Sequence, residues 1–154
     1  MNLEIAIIGG LIGTFAAILV LQVWEVARPS QIHVGIVSLI GSAFMRKTFG
    51  QQLIGRFVLL VIGVLYGIFT SAVIYAFEVE ATAWLYGAFV SVFLWVLTGI
   101  SLTYFRLLHP RIRSEEMKAP GPFALGYSRQ YAAVLLIAHL IFGFVCGAVY
   151  GNIA

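Results

Sequence analysis

Every Lys and Arg of this 154-residue chain, nine in all, lies in one of two windows, from Arg28 to Arg56 or from Arg106 to Arg129. Between and around those windows charge is almost absent. Four apolar stretches remain, residues 5–26, 57–77, 83–107 and 131–150. Each is about 20 residues or longer, enough to cross a hydrocarbon core of ~30 Å as an α-helix. Loops on the cytoplasmic side collect Lys and Arg, so both basic windows are expected inside. Glu4, the tight turn at Glu78-Val79-Glu80 and the C-terminal residues 151–154 are then expected outside. The pattern predicts an all-α, polytopic membrane protein with four transmembrane helices, N-out and C-out, in the cell (inner or plasma) membrane.

Bulk composition narrows the alternatives. A chain that is 62% hydrophobic and 10% charged has no room for a soluble domain beside four spans, so residues 1–154 are read as one transmembrane domain. An open sheet would leave backbone groups unsolvated in lipid. A β-barrel would need apolar residues at every second position, whereas these runs are continuous. The formal charge of +3 is accounted for by the basic inner loops, and no aromatic–basic platform points to nucleic acid. The N-terminus lacks the basic region and cleavage motif of a signal peptide and reads as a retained span. Cys146 is the single cysteine, which rules out an internal disulfide or a cysteine metal cluster. All six acidic residues are Glu, which removes intramembrane aspartyl proteases and Asp-dependent headgroup transferases.

Between the first two spans, residues 31–45 form an apolar segment too short to cross. At 100° per residue Gly35, Ser38 and Ser42 gather on one side, with Ile32, Ile36, Leu39, Ile40 and Ala43 on the other. This predicts a short inner-interfacial or re-entrant helix, and the two-sided pattern favours one lying in the plane of the interface. Arg28-Pro29 ends the first span and His109-Pro110 the third. The second inner loop, residues 110–130, carries most of the remaining charge together with Ala119-Pro120-Gly121-Pro122, and reads as irregular. The two halves share an outline: an inward span, a Pro, a basic connection and an outward span. Gly63-Val64-Leu65-Tyr66-Gly67 and Gly147-Ala148-Val149-Tyr150-Gly151 agree at three of five positions, as a two-span duplication would produce and as glycine-rich spans also do by chance.

Small residues recur at every fourth position: Gly9 and Gly13 in the first span, Gly63 and Gly67 in the second, Gly143, Gly147 and Gly151 in the last. The third has the weaker Gly87-x-x-x-Ser91. Helices in lipid associate through close backbone contact, which such stripes permit. These glycines are therefore the expected helix-packing positions, either within the chain or toward a second copy or a partner subunit. His139 lies near mid-membrane, where an ionisable group is a functional candidate by default. Its readings are a neutral ring bonded to a neighbouring span, a ligand to haem or a pigment, or part of an ion pathway. The first is preferred, with Ser or Thr as partner and no cofactor. His33 and His109 are expected near the inner surface, and Glu25 and Arg28 at spacing i, i+3 could pair. Recognisable enzyme motifs, such as His-Glu-x-x-His or Gly-x-Ser-x-Gly, are missing.

The ending His139-x-x-x-Gly143-x-x-x-Gly147-x-x-Tyr150-Gly151, after a loop with Pro120-Gly121-x-Phe123, resembles the C-terminus of small uncharacterised four-helix bacterial inner-membrane proteins. Their first span also resembles Gly9-Gly10-x-x-Gly13 here. The resemblance implies a fold and a topology and carries no catalytic residues with it. The expectation is a non-catalytic integral membrane protein, an accessory or structural subunit whose partners are the bilayer and either further copies or other membrane subunits. A small oligomeric channel or transporter is the alternative, and a haem- or pigment-binding electron-transfer subunit the second alternative.

Overall fold

The computed structural model describes residues 1–28 and 34–153. Among these, all regular structure is helical: α1 (Leu3–Ala27), α2 (Ile36–Ser42), α3 (Thr48–Ala76), α4 (Ala83–Leu108), α5 (Pro110–Arg113) and α6 (Arg129–Ile153), with 3-10 turns at Glu80–Thr82 and Pro122–Ala124. Four helices, α1, α3, α4 and α6, are long and apolar enough to cross a membrane. At 1.5 Å per residue even a 25-residue helix reaches about 37 Å. Asn2 starts α1 by accepting the Ile5 N–H at 3.3 Å, the N-cap role its short amide side chain suits.

The two termini and the α3–α4 turn share one end of the bundle. The Asn2 N–H reaches the Tyr150 hydroxyl at 3.4 Å, and Gly151 packs against Glu80 and Ala83. The basic windows share the other end, where α2, α5 and the start of α6 meet. Bulky side chains such as Phe15, Leu19, Leu65 and Phe89 stand exposed around the long helices, an outer skin suited to lipid.

The glycine stripes face one another inside the chain. Where α1 crosses α3, a Cβ on Gly10 would stand 2.5 Å from the Gly63 carbonyl oxygen, and one on Gly67 2.5 Å from the Gly10 Cα. Gly63 itself abuts Thr14. Gly9 and Gly13 place α1 on α6, where a Cβ would lie 3.2 Å from the Cys146 carbonyl and 2.8 Å from that of Phe142, respectively. Gly143 and Gly147 press on Gly87, Ser91 and Ala83 of α4. Dispersion at this range replaces a hydrophobic drive that lipid cannot supply.

Three boundaries differ from the sequence reading. α3 begins at Thr48, nine residues before the apolar run expected from Phe57, because the extra turns have a partner. Gly41 of α2 sits on the Gln51 backbone and Val37 on Gly55, while the Gln51 side-chain amide donates to the Met45 and Arg46 carbonyls at 3.1 and 2.9 Å. α2 does not present one face outward, as the in-plane reading expected. Ile36, Val37, Leu39, Gly41 and Ser42 are all buried, and the apolar ones join a core cluster with Ile18, Leu21, Leu102 and Leu135. Gly35 meets Glu25 of α1, Ser38 accepts from Gln52 of α3, and Ser42 meets His109 and Met117. Pro29, Gln31, Ile32 and His33 lie outside the described residues. Third, the basic loop before α6 folds back on the bundle. Pro120 and Ala124 are fully buried, and the Phe123 ring lies tilted at 46° to Trp95, centroids 4.6 Å apart, in the notch left by Gly99. Gly121, Phe123 and Ala124 hold φ of 66°, 53° and 60°. For the two non-glycines this strain must be offset by that packing.

Candidate functional site

The tight contacts are not shared equally around the bundle. α1 lies close on α3 and α6, and α4 on α6, whereas α3 and α4 part on the basic side of the contact between Tyr66 and Thr98. The gap is a cavity of about 170 Å³. α3 and α4 form its walls through residues such as Leu59 and Phe105, α1 and α6 its back, and Ile36 and Ile40 of α2 its base. Ser101, on its rim, is exposed, so the cavity meets the surface of the bundle between two spans, away from either end.

His139, the eleventh residue of α6, stands at the cavity wall. Its Nδ1 lies 2.8 Å from the Leu135 carbonyl oxygen, one turn back. Its Nε2 lies 3.1 Å from Thr98 Oγ1 on α4. A carbonyl can only accept, so in the neutral ring Nδ1 carries the hydrogen and Nε2 accepts from the Thr98 hydroxyl. The expected satisfaction of the imidazole by a hydroxyl on a neighbouring span therefore has a named partner. Thr98 in turn sits 3.2 Å from the Tyr66 hydroxyl of α3. Its own hydrogen is committed to His139, so Tyr66 is the donor. One directed chain, Tyr66 to Thr98 to His139, thus ties three spans together across the gap.

Glu25 does not pair with Arg28. Its Oε1 accepts the Tyr131 hydroxyl at 3.1 Å, and the same phenol oxygen accepts the Ile36 N–H at 2.9 Å. Gly35 passes directly over the carboxylate, where a Cβ has no space. Arg28 instead lies 6.0 Å from the centre of the Trp24 ring, at cation–π range. These bonds fasten the start of α2 to α1 and α6. At the other end of α2, on the basic side of the bundle, His109 is buried: its Nε2 lies 3.0 Å from the Leu39 carbonyl and 3.1 Å from Ser42 Oγ. The base of the cavity is therefore tied at both ends by polar side chains.

Both nitrogens of His139 are engaged within the chain. Among the described residues, no three His, Cys, Asp or Glu side chains come together to hold a metal ion. Compared with protein-family models, curated proteins and solved structures, the chain finds no match, so every role rests on its own geometry. Sequence reasoning found His139 but not its partners. Thr98 is one of several hydroxyls within the apolar runs with nothing to set it apart, Tyr66 enters only through the repeat, and Tyr131 is only the first residue of the last run. Nothing in linear spacing relates positions 66, 98 and 139.

Proposed function

We propose that this is a non-catalytic integral membrane protein of the cell membrane, with both termini outside, which takes up a small lipid-soluble molecule from the bilayer. The observation that carries the reading is the cavity between α3 and α4, mostly apolar, crossed by the Tyr66–Thr98–His139 chain and reaching the surface of the bundle. Binding sites for small molecules are concave, mostly apolar and carry few polar groups. In a close-packed helical protein a gap of this size is a departure from the norm. An accessory role through the glycine stripes has less support, since those stripes are occupied by the chain's own helices. The orientation rests on the clustering of Lys and Arg at the end opposite the termini.

The test is retention. Ala17 lines the cavity, and Ala17→Phe places a ring in it. Native mass spectrometry of protein extracted in mild detergent is expected to show a small apolar molecule on the unaltered chain and its loss in Ala17→Phe. If both proteins carry the same small molecules, or neither carries any, the cavity is not a binding site.

A further inference from the structure

The hydrogen-bond directions around the cavity restrict what it can recognise. Among the described residues, five polar side chains line it: Thr14, Tyr66, Thr98, Ser101 and His139. Each has already given away its hydrogen. Thr14 donates to the Gly10 carbonyl at 2.6 Å, and Ser101 to the Thr98 carbonyl at 2.8 Å. Tyr66 donates to Thr98 and Thr98 to His139, whose own N–H goes to Leu135. What the side chains keep is oxygen lone pairs, because a hydroxyl has one hydrogen but two acceptor positions. Among the described residues, no charged side chain lines the cavity. A ligand hydroxyl or N–H can bond there without disturbing anything. At the Tyr66–Thr98–His139 chain a ligand carbonyl, ether or carboxylate would either leave its acceptor unmatched or take the Thr98 hydrogen and strand His139, each a buried unsatisfied group.

We infer that the cavity selects an uncharged, apolar molecule bearing a hydrogen-bond donor, of the size and kind of a phenol or a short alcohol, over molecules of equal size that can only accept. The inference rests on the cavity being a binding site and names the class of molecule it holds. The size follows from the volume: an apolar cavity of about 150 Å³ takes up benzene, and this one measures about 170 Å³.

Phenol, anisole and toluene separate the possibilities. All three are single rings. Phenol has a donor, anisole an oxygen acceptor alone, and toluene neither. Each is titrated into the full chain in lipid nanodiscs at neutral pH, and occupancy is read from NMR shifts of the Ala17, Ala138 and Thr98 methyl groups. Concentrations are expressed as those in the lipid phase. Phenol is expected to bind about five-fold tighter than toluene, the net gain of roughly one hydrogen bond, and anisole no tighter than toluene. His139→Leu frees the Thr98 hydrogen for a ligand acceptor, so the preference for phenol over anisole should fall toward one. If all three rings bind the native chain equally, or anisole binds best, the donor selectivity is overturned while the binding site stands. If none moves these methyl groups, the binding reading itself is overturned. The comparison within the native protein decides the matter even where His139→Leu does not fold.

Discussion

At residue scale, two polar contacts tie distant helices together, His139 with Thr98 and Glu25 with Tyr131. His139 is held by Thr98, so His139→Gln, which can still bond, should be mild. His139→Leu should cost about 1 kcal/mol, as interhelical hydrogen bonds in lipid do, read as a lowered unfolding midpoint in detergent. Tyr131→Phe should cost more, on the order of 1–3 kcal/mol, since it removes the hydroxyl that donates to the Glu25 carboxylate and accepts from the Ile36 N–H. Glu25→Gln, which keeps an acceptor oxygen, should cost less than Tyr131→Phe; the reverse order would show that Glu25 is held by something else. Outside the spans, burial pushes the Tyr127 phenol up to about 12. A phenol raised in the folded state keeps its proton while the unfolded chain has lost it. Stability should therefore fall as pH rises from about 10 toward 12, and Tyr127→Phe should remove that part of the slope in an alkaline unfolding series.

At the scale of elements, the interest lies in how the glycines divide the work. Gly143 and Gly147 meet α4 across bare backbone. Gly143→Leu and Gly147→Leu should each destabilise by about 1–3 kcal/mol or more through overpacking, whereas Phe144→Leu, on the exposed side of α6, should change little. Equal effects at 144 and 147 would mean that the helix is rotated from its place here. The short α2 is the element that composition described least well. Its seven residues have too few turns to span and too little length to hold together alone. It is helical because α3, extended back to Thr48, and the α1–α6 pair enclose it.

At the scale of the whole molecule, the two halves match in part. The first long helix of each half packs on the second through glycine, α1 on α3 and α4 on α6. A strict duplication would also make the α3–α4 contact repeat that of α1 with α6. It does not: Gly9 and Gly13 bring α1 onto α6, while α3 and α4 part around the cavity. The site thus lies where the repeat is broken. The topology itself can be checked directly. A reporter active only in the cytoplasm should work when inserted near Lys118 and be silent when fused after Ala154, and the opposite result would invert the orientation.

Four apolar runs, their lengths and the two basic windows are properties of single stretches of chain, and the transfer energetics of helices depend on little else. Hence the helical class, the four long helices and the glycine positions could be read from the residues in order. His139 could be singled out for the same reason, being an ionisable group in an apolar run. Its partners Thr98 and Tyr66, the burial of His109, the Glu25–Tyr131 bond and the seating of Phe123 beside Gly99 could not. Each depends on the rotation and crossing of helices far apart in sequence, set by sub-ångström fits between backbones. The cavity is the extreme case: it exists only where two helices do not meet, and no residue in the chain encodes a gap. Periodicity assigned each helix its faces, and only packing decided which faces would touch.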